Sequence, residues 1–419
     1  MLPLIEPGPA LEPDRIARYS RQLMLPGFGE PAQRRLAAAR VLVIGAGGLG
    51  SALVPVLAGA GIGTIGVADD DLVEVSNLHR QLSHGVADIG RAKVDSLRDT
   101  VAAIDPACTV IAHRERVIAA NLPALLDGYD LLVDGSDNFA TRYLANDAAE
   151  LAGKPLVWGS ILRFHGQVGV AWAGRGPTFR DLFPAPPPAD ETLSCELGGV
   201  LPSLCTAIGS LMATEVVKLV CGIGEPLIGR VLFYDALTAR TREIGYEADE
   251  SRPALTGLDD YEALCGTAPD PTQSISAAEL LRRRRAGERM LLLDVREPHE
   301  AAARRIPDSV LFPVGRIDAG EVPDALQESD AVGAPDAAPT VVVYCEQDPR
   351  SRRAAAALRD RGVDAVHVVG GIRAFVALGG DVEGEAAVGS VPAAAAASVV
   401  PASPAENASI PALVEKEPA

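Results

Sequence analysis

The sequence predicts an α/β chain: a doubly wound domain with a mixed sheet, then a smaller α/β domain, then a disordered tail. Three observations predict it. Apolar strand-like runs alternate with helical patterns through the first half of the chain. A Gly-x-Gly-x-x-Gly turn, Gly45 to Gly50, joins the first such strand to its helix. A second strand–turn–helix unit recurs after a polar gap. Alternation of this kind buries a parallel sheet beneath helices on both faces.

The elements follow in order. "RVLVIG" (40–45) is a continuous apolar strand and "GLGSALVPVLAGAG" its helix; "GTIGVAD" (63–69) is the next strand. "GRAKVDSLRDTVAAIDP" is a helix stopped by Pro106, because proline cannot continue one. "CTVIAH" and "DLLVDG" are strands, and "NFATRYLANDAAELAG" is a helix closed by Gly153. "PLVWGS" and "HGQVGVAWA" are strands again. A proline-rich loop, "FPAPPPADETLSCELGGVLP", precedes the helix "SLCTAIGSLMATEVVKLVCG" and the strand "GRVLFYDAL". The domains read as 1–246, a linker 247–273, a second domain 274–380 and an Ala/Pro low-complexity tail 381–419, expected to be disordered.

Composition narrows the function. With 48% hydrophobic but only 4% aromatic residues the cores are aliphatic, and the net charge of −18 argues against nucleic acid as a partner. The arginine run 282–285 reads as a solvated face of the capped helix "SAAELLRRRRAGE". No stretch is expected to approach the roughly 18 apolar residues of a membrane span, and the start lacks a basic n-region. Six cysteines with no C-x-x-C pair suggest reduced thiols in a cytoplasmic protein.

The glycine turn alone means a nucleotide, since it lets phosphate approach backbone amides at a helix N-terminus. Asp69, at the end of the next strand, lies where an acid meets a ribose hydroxyl. This much fits a Rossmann-like NAD- or FAD-dependent oxidoreductase. The residues beyond shift the balance. Asn77, Arg80 and Gln81 follow the second strand, and Lys93 opens the next helix. Extra cations suit an enzyme that stabilises a triphosphate as pyrophosphate leaves. Asp134 and Asp137, at the end of a strand, are candidates to hold Mg2+, although Asp137 could instead cap the following helix.

"RYSRQL", "GAGGLGS", "SNLHRQ", "GRAKVDS", "DGSDNFATRYLAND" and "SCELGGVLP", in that order over roughly residues 14–245, resemble the ThiF/MoeB family of ubiquitin-activating-enzyme-like adenylyltransferases. The resemblance implies Mg·ATP-dependent adenylation of the Gly-Gly carboxylate of a ubiquitin-like sulfur carrier protein. It implies that Gly45, Gly47, Gly48 and Gly50 form the phosphate turn and that Asp69 holds ribose. Asn77, Arg80, Gln81 and Lys93 would line the phosphates, and Asp137 with Asn138 the metal end. Arg21 would complete the site of the other subunit of a homodimer. Many relatives carry two C-x-x-C pairs for zinc; here "PTFRDLFP" has no cysteine and "YEALCG" only Cys265, so no structural zinc is expected.

Cys195 sits in a polar, Pro/Gly-rich loop. It is either a chance loop thiol or, by the resemblance, a residue that attacks the acyl adenylate or forms a link during sulfur transfer. Cys108, Cys205 and Cys221 lie in apolar elements and read as packing residues.

"MLLLDVREPHEAAARRIPDSVLFPV", "TVVVYCEQDPRSRRAAAALRDRGV" and "DAVHVVGGIRAF" resemble a rhodanese domain over roughly 274–378, with Cys345 as the persulfide cysteine and Arg350 completing its loop. Four residues separate the two, a loop whose amides should aim at the sulfur and lower the thiol pKa. Glu346 and Asp348 oppose a thiolate, and Pro349 removes a donor. Either the loop is inert, or the acids point outward and disfavour thiosulfate while a protein persulfide still donates. The whole is expected to convert the acyl adenylate to a thiocarboxylate. A docking protein with an inactive second domain is the alternative.

Overall fold

The computed structural model describes residues 2–187, 199–265, 273–327 and 340–384. Cys195, the tail beyond residue 384 and parts of the two linking segments lie outside them.

Three helices open the chain: α1 (Pro13–Arg18), α2 (Ser20–Leu23) and α3 (Gly29–Ala38). The larger sheet then follows the order β3-β2-β1-β4-β5-β6-β7-β8. Its strands are β1 (Arg40–Ile44), β2 (Thr64–Ala68), β3 (Thr109–His113), β4 (Leu131–Asp134), β5 (Leu156–Leu162), β6 (His165–Ala171), β7 (Arg230–Asp235) and β8 (Arg240–Gly245). β1 to β5 pair in parallel and β5 to β8 antiparallel, so the sheet is mixed. Between them run α4 (Gly50–Ala60), α5 (Lys93–Ile104), α6 (Leu122–Asp127), α7 (Phe139–Leu151), α8 (Phe179–Leu182) and α9 (Pro202–Cys221). Strand order reverses between β2-β1 and β4, which puts the glycine turn at the switch point where such sheets bind ligands.

Two sequence expectations need correction. α9 carries an 18-residue window of mean hydropathy 1.6, so one described helix is long and apolar enough for a membrane span. Its apolar residues are consumed by the core instead: Leu204, Ile208, Met212, Val216 and Leu219 are fully buried, and Glu215 accepts a hydrogen bond from the Leu227 amide. β8, "RTREIG", gave no strand signal because all six residues are exposed. The hairpin register to β7, Asp235 opposite Arg240, makes it a strand.

Residues 247–265 pack on the larger domain. The Arg252 guanidinium bonds Glu150 and Asp181, and Tyr261, on α10 (Tyr261–Leu264), donates its hydroxyl to buried Asp147 at 2.7 Å.

The smaller sheet is wholly parallel, in the order β11-β10-β12-β13-β9. It consists of β9 (Ser274–Ser276), β10 (Met290–Asp294), β11 (Val310–Leu311), β12 (Thr340–Tyr344) and β13 (Ala365–Val369). Around it lie α11 (Ala277–Arg285), α12 (Pro298–Ala303), α13 (Val314–Asp318), α14 (Asp324–Gln327), α15 (Pro349–Arg359) and α16 (Gly371–Ala377). Ser276 caps α11 by accepting from the Glu279 amide, the capping pattern its sequence predicts.

Candidate active site

The first site forms where β1 turns into α4. Gly45 takes φ +93°, which a side chain resists. A Cβ on Gly50 would lie 1.9 Å from the Gly45 carbonyl oxygen, so Gly50 serves the closure of the turn rather than space for phosphate. A Cβ on Gly48 would come within 3.0 Å of the Cys205 sulfur. Gly47 alone of the four faces open room, its nearest neighbour the Gln81 amide nitrogen. Gln81 is buried, and its Oε1 has no partner among the described residues. The Nε2 of this amide, next to the open glycine, can donate to a phosphate oxygen, while its orphaned Oε1 calls for a donor such as a ligand hydroxyl, amine or water.

Asp69 braces the turn. One carboxylate oxygen accepts from the Ala46 amide at 2.8 Å and the other from the Asp71 amide at 2.7 Å. Burial pushes its carboxyl above the ordinary range, against the pull of Lys93 and the two amides. Lone pairs remain on both oxygens for a ribose hydroxyl. Lys93, only 6% exposed, donates to Asp71 at 2.9 Å. Burial lowers its pKa, but Asp69, Asp71 and Asp137 outweigh that and leave it raised, so it is a cation at neutral pH. Arg80 is half-buried, bonded to the Ser76 carbonyl at 2.8 Å, with its charge felt at Cys205 beneath Gly48.

Asn77 is buried and spends its side-chain oxygen on the Glu74 amide, so it shapes the loop that carries Arg80. Asp134 is fully buried, with one oxygen on Ser136 and the other on Arg142 at 3.0 Å. It is therefore no free metal ligand, and the candidate narrows to exposed Asp137, which is within electrostatic reach of Lys93. Asp137 is not the helix cap; Asn138 is, accepting from the Thr141 amide at 2.8 Å. Arg21 is exposed on α2, away from the turn in sequence. Sequence reading missed His84, whose ring nitrogens meet the Ala46 carbonyl and the Ser96 hydroxyl and so pin the turn to α5. It also passed over Asp71, visible only as one of three consecutive acids.

The second site forms where β12 turns into α15. Cys345 is 1% exposed, and its sulfur lies 3.4 Å from the Ser351 hydroxyl. The expectation of a lowered thiol pKa is corrected. Burial pushes the thiol up, more than the Ser351 hydroxyl, the Ser351 and Gln347 amides and the Arg350 charge pull it down. The acids do not point outward either. Glu346 pairs with Arg296 at 3.0 Å and also with Arg304. Asp348 turns inward, accepts from the Gly370 amide at 2.9 Å, and burial raises its carboxyl pKa. Arg350 is held by both oxygens of Glu300, at 2.6 and 2.8 Å. Arg296, Glu300 and Arg304 lie more than forty residues upstream, so the loop's own sequence gave no signal of them.

Comparison with known proteins identifies the families of the two domains. The ThiF family profile matches residues 19–254 and the rhodanese-like domain profile residues 276–378. A Mycobacterium tuberculosis protein named probable adenylyltransferase/sulfurtransferase MoeZ is 47% identical over 384 residues, 89% of this chain and 96% of that one. The Sus scrofa adenylyltransferase and sulfurtransferase MOCS3 is 37% identical, covering 89% of this chain and 88% of its own. Escherichia coli MccB, solved with MccA-N7isoASN, shares the fold at TM-score 0.50 and 19% identity, over 56% of this chain and 73% of that one.

Proposed function

The chain belongs to the ThiF family with a rhodanese-like domain behind it, and is an ATP-using adenylyltransferase/sulfurtransferase; from that premise we propose that its substrate is the C-terminal Gly-Gly carboxylate of a ubiquitin-like sulfur carrier. The observation that carries this reading is the buried, charged Lys93, paired with Asp71 and acted on by Asp69, whose carboxylate braces the glycine turn, with the Arg80 charge felt at Cys205 behind Gly48. That is more cation than a dinucleotide pyrophosphate needs.

One carboxylate oxygen of the carrier attacks the α-phosphorus of ATP, the bond to the β-phosphate breaks, and pyrophosphate leaves. No protein base is required, because the nucleophile is already ionised. Lys93 and Arg80 neutralise phosphate charge, Asp69 orients ribose, and the turn amides hold phosphate oxygens. Asp137 is the residue that would hold Mg2+, which supplies further charge neutralisation when bound. The terminal sulfur of a Cys345 persulfide then attacks the acyl carbon, and AMP departs with the C–O electron pair. The resulting acyl disulfide is opened when a thiolate attacks the Cys345 sulfur. The thiocarboxylate leaves, and Cys345 remains in a disulfide that a further thiol reduces. Cys195 is the chain's own candidate for the attacking thiol.

The bidentate Glu300–Arg350 pair supports a protein persulfide rather than free thiosulfate as donor, since Arg350 enters the reaction with its charge already balanced and offers little to an incoming dianion. We propose further a homodimer in which Arg21 reaches the partner's site, a cytoplasmic location, and no structural zinc. Exposed Met24 and Leu25 beside Arg21 support the contact. A monomer in light scattering or a stoichiometric zinc in elemental analysis would refute those two. ATP–pyrophosphate exchange stimulated by a small Gly-Gly-ended protein tests the substrate; exchange that ignores the carrier refutes it.

A further inference from the structure

One residue touches both sites. Arg373, near the start of α16, donates its backbone amide to the Glu346 carbonyl at 3.2 Å, within the cysteine loop. Its guanidinium donates to one oxygen of Asp71 at 2.9 Å, in the larger domain. The other oxygen of Asp71 accepts Lys93 at 2.9 Å. A continuous run of bonds therefore links the sulfur loop, Arg373, Asp71 and the phosphate cation. The bay that receives Arg373 is acidic, with Asp70 and Glu74 also acting on it, so charge complementarity favours this seating over others. The far side of the loop also lies within electrostatic reach of the larger domain: Asp348 feels Arg116 and Glu262, themselves an ion pair.

We propose that Arg373 is a positioning residue that seats the cysteine loop against the adenylation site, so that sulfur transfer between the two domains is intramolecular. Tethering alone gives a modest effective concentration of one group near another; a docked geometry raises it and aligns the reacting atoms. Each half-reaction proceeds within its own domain and needs no docking. The transfer between them does. The proposal rests on the carrier reading above, and its test separates the two.

The test uses the full chain, with Arg373→Glu and Arg373→Lys beside the parent. Three rates are read: carrier-dependent ATP–pyrophosphate exchange, thiosulfate-to-cyanide sulfur transfer, and single-turnover transfer from preloaded Cys345 persulfide to carrier adenylate. In Arg373→Glu the first two should stay within about twofold of the parent while the third falls by about tenfold or more. Arg373→Lys should recover most of that loss. The parent's transfer rate should fall as salt rises, and that of Arg373→Glu should not. Transfer within about twofold of the parent in Arg373→Glu overturns the proposal, and so does a parallel fall in thiosulfate turnover, which would mark a merely structural role. If the parent makes no thiocarboxylate, the carrier reading fails, and small-angle scattering decides the docking: a larger radius of gyration in Arg373→Glu supports it, and an unchanged one overturns it.

Discussion

The turn after β1 and the turn after β12 are built alike and finished differently. Each leaves a parallel strand, bends within about one helical turn and opens a helix whose N-terminal amides attract negative charge. The first keeps its anion seat open. Gly47 faces free space, Lys93 is a cation held on Asp71 beside the Asp69 that braces the turn, and Arg80 is held on the Ser76 carbonyl. The second is closed. Its sulfur is buried, and the acids of its loop are matched by Arg296, Arg304 and the Gly370 amide. An open turn suits a diffusible nucleotide that brings its own charge and leaves again. A closed one suits a covalent sulfur shielded from water, delivered to one partner at one moment.

Disabling one turn should leave the other working. Asp137→Asn should lower ATP–pyrophosphate exchange by about 100-fold or more, with thiosulfate turnover unchanged; Asp137 is exposed, so the fold should survive. Exchange at the parental rate would remove Asp137 from the site. On the closed side, removing a buried charge partner should cost stability. Arg296→Leu leaves Asp294, fully buried, without its bidentate partner, and should destabilise the smaller domain by about 3–5 kcal/mol. Denaturant melts of that domain read this directly, and a loss below about 1 kcal/mol would mean the pair is structurally idle.

Smaller effects sharpen the electrostatic contrast. Glu346→Gln keeps the shape of the loop but leaves Arg296 and Arg304 one negative charge short. It should lower the Cys345 pKa and raise thiosulfate turnover on the order of two- to fivefold, at a cost of about 1–3 kcal/mol in stability. Unchanged turnover would show that the acid is insulated from the sulfur. The pH dependence follows from burial. The Cys345 thiol titrates above its ordinary value of 9.0, so thiosulfate turnover should still be climbing at pH 9, without a plateau. The same shift favours the folded state while the thiol is neutral in both forms, and that stability is lost as pH rises through the folded value. On the acid side, burial lowers the His367 pKa to about 4 from 6.5. Its neutral form stabilises the smaller domain above about pH 6.5, and that contribution declines as pH falls towards 4. His367→Gln should flatten this acid limb; an unaltered acid limb would exclude His367 as its source.

The open turn was legible in the sequence because its parts are consecutive. Glycine spacing, the acid ending β2 and the cations after it sit within fifty residues, and strand–turn–helix periodicity places them on one edge. What was illegible there were contacts that skip elements. His84 reaches back to Ala46, and Asp134 is taken by Arg142 rather than left for metal. The closed turn was misread for the same reason in stronger form. A string of residues shows Glu346 and Asp348 beside Cys345 but not Arg296 and Arg304, 50 and 42 residues before Glu346, folded back against it. It also cannot show that desolvation, not the acids, governs the thiol. β8 was missed because its six exposed residues carry no apolar alternation; only pairing with β7 reveals it.

On the proposed reading, two turns in one chain perform two separable steps on one substrate. Mass analysis of a Gly-Gly-ended carrier, incubated with ATP and a persulfide donor, tests it most directly. The parent should exchange one carboxylate oxygen of the carrier for sulfur. Cys345→Ala should stop at the acyl adenylate, with pyrophosphate released and AMP still bonded to the carrier, and Asp137→Asn should leave the carrier untouched. Thiocarboxylate formed by Cys345→Ala as fast as by the parent would contradict the account, because sulfur would then arrive without the second turn.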